Sequence, residues 1–154
     1  MSEMLFNAIR NEDAGMVKKL LQENPSWISE KDQRGSTPLL LATYYGSIEI
    51  TRIILSYPQN VNAQDASGNT ALMGVCFKGF DTIARVLLDH GAAVNIQNFN
   101  GATALMYATM FNKIPILKLL LEYGAITTIK DDSGHTAVSY AQLKGNKEAL
   151  DLLK

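Results

Sequence analysis

Asp32, Asp65, Asn98 and Asp131 are spaced by 33 residues, and so are Gly35, Gly68, Gly101 and Gly134, and again Thr37, Thr70, Thr103 and Thr136. Three independent columns in one register without a gap mark a repeat architecture, in which each unit buries its apolar face only by stacking on its neighbours. Apolar columns keep the same register: Leu39, Leu72, Leu105 and Val138; Ala42, Val75, Ala108 and Ala141; Ile54, Leu87, Leu120 and Leu153. Residues 1–31 read as a degenerate first unit, with Ala8 lying 34 rather than 33 residues before Ala42 because its loop carries one inserted residue.

Local chemistry predicts the structure of one unit. The Asp/Asn-x-x-Gly segment reads as a tight turn, in which glycine supplies positive φ and the acidic or amide side chain bonds nearby backbone amides. The threonine that follows is a good N-cap, and Thr37-Pro38 puts proline at the first helical position, where its missing N–H costs little. That helix should stop at Gly46, Gly79, Asn112 and Gly145, the residue types that tolerate the left-handed turn after a helix. A second helix should follow, with Ile50, Ile53 and Ile54, or Ile83, Val86 and Leu87, as its buried stripe, and with Pro115 in a first turn.

Units such as "DASGNTALMGVCFKGFDTIARVLLDHGAAVNIQ" resemble ankyrin repeats in their Gly-x-Thr-Pro/Ala-Leu start, Leu-Leu end and Gly-Ala-x-Val-Asn loop. The resemblance covers essentially the whole chain. It implies an all-α repeat solenoid of stacked antiparallel helix pairs, joined by β-hairpin loops that project roughly at right angles. The expected organisation is one domain over 1–154, with an N-terminal capping unit at 1–31, internal repeats at 32–64, 65–97 and 98–130, and a C-terminal capping repeat at 131–154. Polar residues at both ends, among them Asn7, Arg10, Lys18, Gln142, Lys147 and Asp151, fit caps, with the expectation that the 154 residues form a complete protein. The histidine that often follows Thr-Pro-Leu in the family is replaced by Leu40, Met73, Met106 and Ser139. Its inter-repeat hydrogen bonds are therefore absent or come from other groups. Gly74-Val75 also replaces the common Leu-Ala, and Tyr57-Pro58-Gln59-Asn60 replaces the usual glycine-containing loop.

The two positions before the helix-ending Gly/Asn carry Tyr44-Tyr45, Phe77-Lys78 and Met110-Phe111 in the middle units, between Arg10-Asn11 and Leu143-Lys144. The family fold implies that this pair lines a concave groove. An apolar, aromatic-rich stripe bounded by charge is then expected there, a composition enriched at protein–protein interfaces. The alternative is that these rings pack on one another between neighbouring units. Phe99, a large aromatic at a loop tip, is a candidate anchor, or else contacts an adjacent hairpin. Tip charges run from Arg34 to Asp131-Asp132, a polarity that orients a partner or is merely solvated. Tyr107 and Tyr140 could enlarge the groove surface, and Trp27 with Ile28 should seal the first unit against the second.

Catalytic and metal-binding chemistry is sparse. His90 and His135 occupy different repeat positions, His90 fitting a helix C-terminus; Cys76 reads as a small packing residue; and no phosphate loop, zinc-ligand spacing or Ser-His-Asp pattern occurs. No cofactor is expected. A formal net charge of −1 without charge blocks argues against a nucleic-acid or acidic-membrane partner. A single cysteine fits a reducing compartment, and the first residues lack a basic n-region and an apolar core, so cytoplasmic residence is expected. The composition, 47% hydrophobic and 19% charged, suits one ordinary domain. These observations favour a non-catalytic, monomeric module that binds a protein partner as adaptor, inhibitor or stabiliser, through Tyr44, Tyr45, Phe77, Lys78, Met110 and Phe111 with Phe99, Arg34 and Asp132. A hydrolase with a groove site, or a self-associating scaffold, is the alternative.

Overall fold

The computed structural model describes residues 2–154; Met1, the first residue of the expected N-terminal unit, lies outside the described residues. Those residues contain ten α-helices and no strand. The helices follow in pairs: α1 (Glu3–Arg10) with α2 (Ala14–Glu23), α3 (Pro38–Tyr45) with α4 (Ile48–Leu55), α5 (Ala71–Lys78) with α6 (Asp81–Asp89), α7 (Ala104–Met110) with α8 (Ile114–Glu122), and α9 (Ala137–Leu143) with α10 (Lys147–Leu153). Odd-numbered helices pack on one another in chain order, as do even-numbered helices, giving an all-α repeat solenoid of two layers. Helices this short are unstable alone. Their stability comes from the shared core of leucine, isoleucine and alanine columns, which runs continuously from Leu5 to Leu153.

The predicted caps form. Thr37, Thr70, Thr103 and Thr136 accept hydrogen bonds from the backbone N–H groups of Leu40, Met73, Met106 and Ser139, at 3.3, 3.3, 3.3 and 3.1 Å. Gly46 and Gly79 close α3 and α5 in the left-handed conformation. Asn112 and Gly145 also take positive φ, but α7 and α9 end two residues before them, at Met110 and Leu143. The buried stripe of the even-numbered helices, the outer layer as the odd-numbered ones are the inner, differs at one point from the pattern of isoleucines. In α4, Ile50 and Ile54 are buried while Ile53 is only half-buried, and Thr51 is fully buried with them. The helix is rotated so that its threonine is fully buried while Ile53 packs only against the edge of the core.

The connecting loops are turns rather than strand-bearing hairpins among the described residues. Asp65 Oδ1 accepts from Ser67 N at 2.8 Å and Asn69 N at 2.9 Å, while Asp65 N donates to Asn69 O at 2.9 Å. Asp32, Asn98 and Asp131 hold their turns in the same way. Successive turns are tied together by Ala66 N to Arg34 O, Phe99 N to Ser67 O and Asp132 N to Asn100 O, at 3.1, 3.2 and 3.0 Å. Inter-unit hydrogen bonds also come from long side chains in these loops. Gln64 Nε2 donates to Gly68 O (2.7 Å) and Gln97 O (3.1 Å), Gln97 Nε2 to Gly101 O (2.9 Å) and Lys130 O (3.1 Å), and Lys31 Nζ to Gln64 O (3.1 Å). A short 3-10 helix over Pro25–Ser29 buries Ile28, leaves Trp27 half-buried against the core, and packs on α2 and α3.

Candidate functional site

The C-terminal ends of α3, α5 and α7 bring the aromatic residues to one face. Tyr44, Tyr45, Phe77 and Phe111 remain 41–44% exposed, yet all but Tyr45 also make contacts within the stripe. The Phe77 and Phe111 rings meet edge to face with centroids 4.8 Å apart, Tyr107 stacks on Phe111 at 6.2 Å, and Lys78 Nζ lies 4.7 Å from the centre of the Tyr44 ring. The stripe is therefore both packed between units and open to solvent. Met110 is half-buried against the core.

Tyr44, Tyr45, Phe77 and Arg34 line a single recess of about 560 Å³ between the turns and the inner helices, within the range of roughly 300–1,000 Å³ typical of binding pockets. Asp32 and Asp65 supply its polar wall and Gly74 lies on its surface. Arg10 pairs with Asp32 across 3.5 Å at one side. Phe99, Lys78, Met110, Phe111 and Asp132 do not line it. Phe99 is 65% exposed, lies over Gly68 of the preceding turn, where an added Cβ would come within 2.6 Å of its Cδ1 and N, and lines a separate hollow with Ile28, Lys31, Gln59 and Asn62. Asp132 is exposed at the last turn.

Tyr107 and Tyr140 have a role beyond surface area. Asn98 is 6% exposed and spends its amide on Asn69 Oδ1 (2.9 Å) and Tyr107 Oη (3.1 Å). Tyr140 donates its hydroxyl to Asp131 Oδ2. Burial pushes Asp131 upward, but hydrogen bonds from Tyr140, His135 N and Ser133 N outweigh it and hold the carboxyl below its ordinary value. Burial first, and then the bond to Asp131, push Tyr140 up to about 12. The signal was in the sequence, because each tyrosine follows its turn Asp/Asn by nine residues.

The two histidines and the cysteine have structural positions. His90 caps α6, with Nδ1 2.8 Å from Val86 O, and His135 lies beside the Tyr140 ring in the last turn. Cys76 is fully buried, and burial pushes its thiol far up, away from the reactive thiolate. Among the described residues no group of three or more His, Cys, Asp or Glu side chains is placed to hold a metal, and no helix is long and apolar enough to cross a membrane.

The family model described as ankyrin repeats (3 copies) fits residues 5–98 and again 91–154. No curated protein sequence matches the chain.

Proposed function

Because the chain belongs to the ankyrin-repeat family, whose repeats generally serve as protein–protein interaction modules, we propose that it is a non-catalytic module that captures a partner protein through its concave, inner-helix face. What carries this reading is the set of four half-exposed aromatic rings on one face, three of them walling a recess. Rigid aromatic side chains offer large contact area at low entropic cost, and such groups dominate binding energy at interfaces. Tyr44, Tyr45, Phe77 and Phe111 form the apolar centre; Met110 supports it, and Lys78 and Arg34 with Asp132 and Phe99 form the rim. The module works as a monomer in the cytoplasm, as adaptor, inhibitor or stabiliser of its partner.

Affinity capture from a lysate of the source organism tests the reading, with wild type beside the triple variant Tyr45→Ala, Phe77→Ala, Phe111→Ala. A protein retained by wild type and lost by a variant that keeps its helical circular dichroism supports the proposed face. Equal retention by both refutes it.

A further inference from the structure

The four units that follow the N-terminal cap, numbered here from residue 32, solve one local problem in different ways. In each turn, one oxygen of the Asp, or the carbonyl oxygen of Asn98, is used by backbone N–H groups, leaving a second polar atom directed elsewhere. In the third and fourth units that atom meets the tyrosine nine residues on: Asn98 Nδ2 with Tyr107 Oη, and Asp131 Oδ2 with Tyr140 Oη. In the first unit the equivalent residue is Leu41, and Asp32 Oδ2 is met instead by Arg10 Nη2 at 3.5 Å. The second unit has Gly74 at this position. Asp65 Oδ1 accepts its two backbone bonds, but Asp65 Oδ2 has neither a hydrogen-bond nor an ion-pair partner among the described residues.

The missing side chain leaves space as well as an unpaired oxygen. An ideal Cβ on Gly74 would meet nothing closer than Tyr44 Cδ1 at 3.8 Å, an ordinary contact, and Gly74 is half-exposed. The recess above it is walled by Leu41, Tyr44, Phe77 and Tyr107, with Asp65 on its polar side. Glycine inside a helix is otherwise destabilising relative to alanine.

The geometry points to the recess over Gly74 as a receptor for a tyrosine side chain of the partner protein, whose ring occupies the space that Tyr107 and Tyr140 fill in their own units and whose hydroxyl donates to Asp65 Oδ2. The occupant follows from three constraints. The faces of Tyr44, Phe77 and Tyr107 on one side of the recess suit a ring, the unpaired carboxylate oxygen on its polar side, which Arg10, Arg34 and Asn69 also line, takes a donor, and the two following units place a phenol hydroxyl on the same turn residue. This inference rests on the concave-face reading and adds to it the chemistry of one anchor.

The test is a nuclear magnetic resonance titration of the whole protein with N-acetyl-tyrosinamide, N-acetyl-phenylalaninamide and 4-methylphenol. The expected result is saturable shifts centred on Asp65, Gly74 and Tyr107, with the tyrosine amide preferred over the phenylalanine amide by about tenfold, the effect of one hydrogen bond to a charged group. Gly74→Tyr should abolish these shifts by filling the recess from within, and Gly74→Leu, which restores the Leu41 solution, covers the case in which the larger ring disturbs α5. Absence of saturable shifts at these residues, equal affinity for the two amides, or binding unchanged in both Gly74 variants would overturn the proposal. Binding of 4-methylphenol with exclusion of the tyrosine amide would also overturn it, in favour of a free small phenol. Failure here alongside stripe-dependent capture of a partner sinks only the anchor; tyrosine-amide binding alongside capture indifferent to the stripe sinks only the face.

Discussion

Thr51 Oγ1 is the buried side-chain oxygen that lacks a hydrogen-bond partner among the described residues. Its column continues as Ala84, Leu117 and Leu150, so the position is apolar in every other unit. Thr51→Val keeps the shape and removes the unsatisfied hydroxyl, and should raise stability by about 1 kcal/mol in urea unfolding. A periodicity read from isoleucines alone points to Ile53; reading down the column of the repeat is the signal that identifies Thr51. Gly46 has the opposite sensitivity. It holds φ at 78°, and an added Cβ would lie 2.7 Å from Phe80 Cζ, so Gly46→Ala should destabilise by about 2 kcal/mol or more, observed as a lower urea midpoint. The left-handed turn was legible from glycine placement. The close approach of Phe80 was not, because it comes from the next unit, where an aromatic stands at the N-cap position of α6 without forming a side-chain cap.

Helix starts and stops were readable because threonine, proline and glycine act on their own neighbours. Contacts between units were less so. Lys31, Gln64, Gln97 and Lys130 form a column at the same 33-residue spacing, yet nothing in a lone glutamine shows that its amide will span two carbonyls of different turns. Gln64→Ala removes both bonds from a half-buried side chain and should cost about 1 kcal/mol in urea unfolding. The Asp131 and Tyr140 pair gives the last unit a pH dependence at both extremes. Asp131 is held below its ordinary value, so its contribution is present above the usual carboxylate range and is lost as pH falls through the folded value. Tyr140 is raised to about 12, so its contribution is complete below the ordinary phenol value of about 10 and is lost as pH rises through about 12. Tyr140→Phe should therefore weaken both the acid and the alkaline fall in stability, as read from urea midpoints against pH.

For the molecule as a whole, the period showed a stacked repeat, since a unit that cannot bury its own face must stack, while the all-α solenoid of helix pairs was implied by the resemblance to ankyrin repeats. The aromatic stripe followed from register. Whether its rings were packed or exposed had no sequence answer, because the alternatives differ only in how side chains lean between units, and here they do both. The recess was harder still to foresee, since it is made by a side chain that is absent at Gly74 and by a carboxylate nine residues earlier. Because the stripe rings are half-exposed, the triple variant Tyr45→Ala, Phe77→Ala, Phe111→Ala should stay folded. Its stability should fall by about 1–3 kcal/mol, chiefly from loss of the Phe77–Phe111 contact and part of the buried ring area, with the far-ultraviolet spectrum retained. The central claim, that partners dock on the inner-helix face, is tested most directly by site-specific photocrosslinking. Benzoylphenylalanine is placed at Tyr45 on this face or at the exposed Arg85 on the outer helix α6, and the purified proteins are irradiated in lysate. The account predicts a discrete protein adduct from position 45 and none from position 85; an adduct from position 85 alone, or none from position 45, would contradict it.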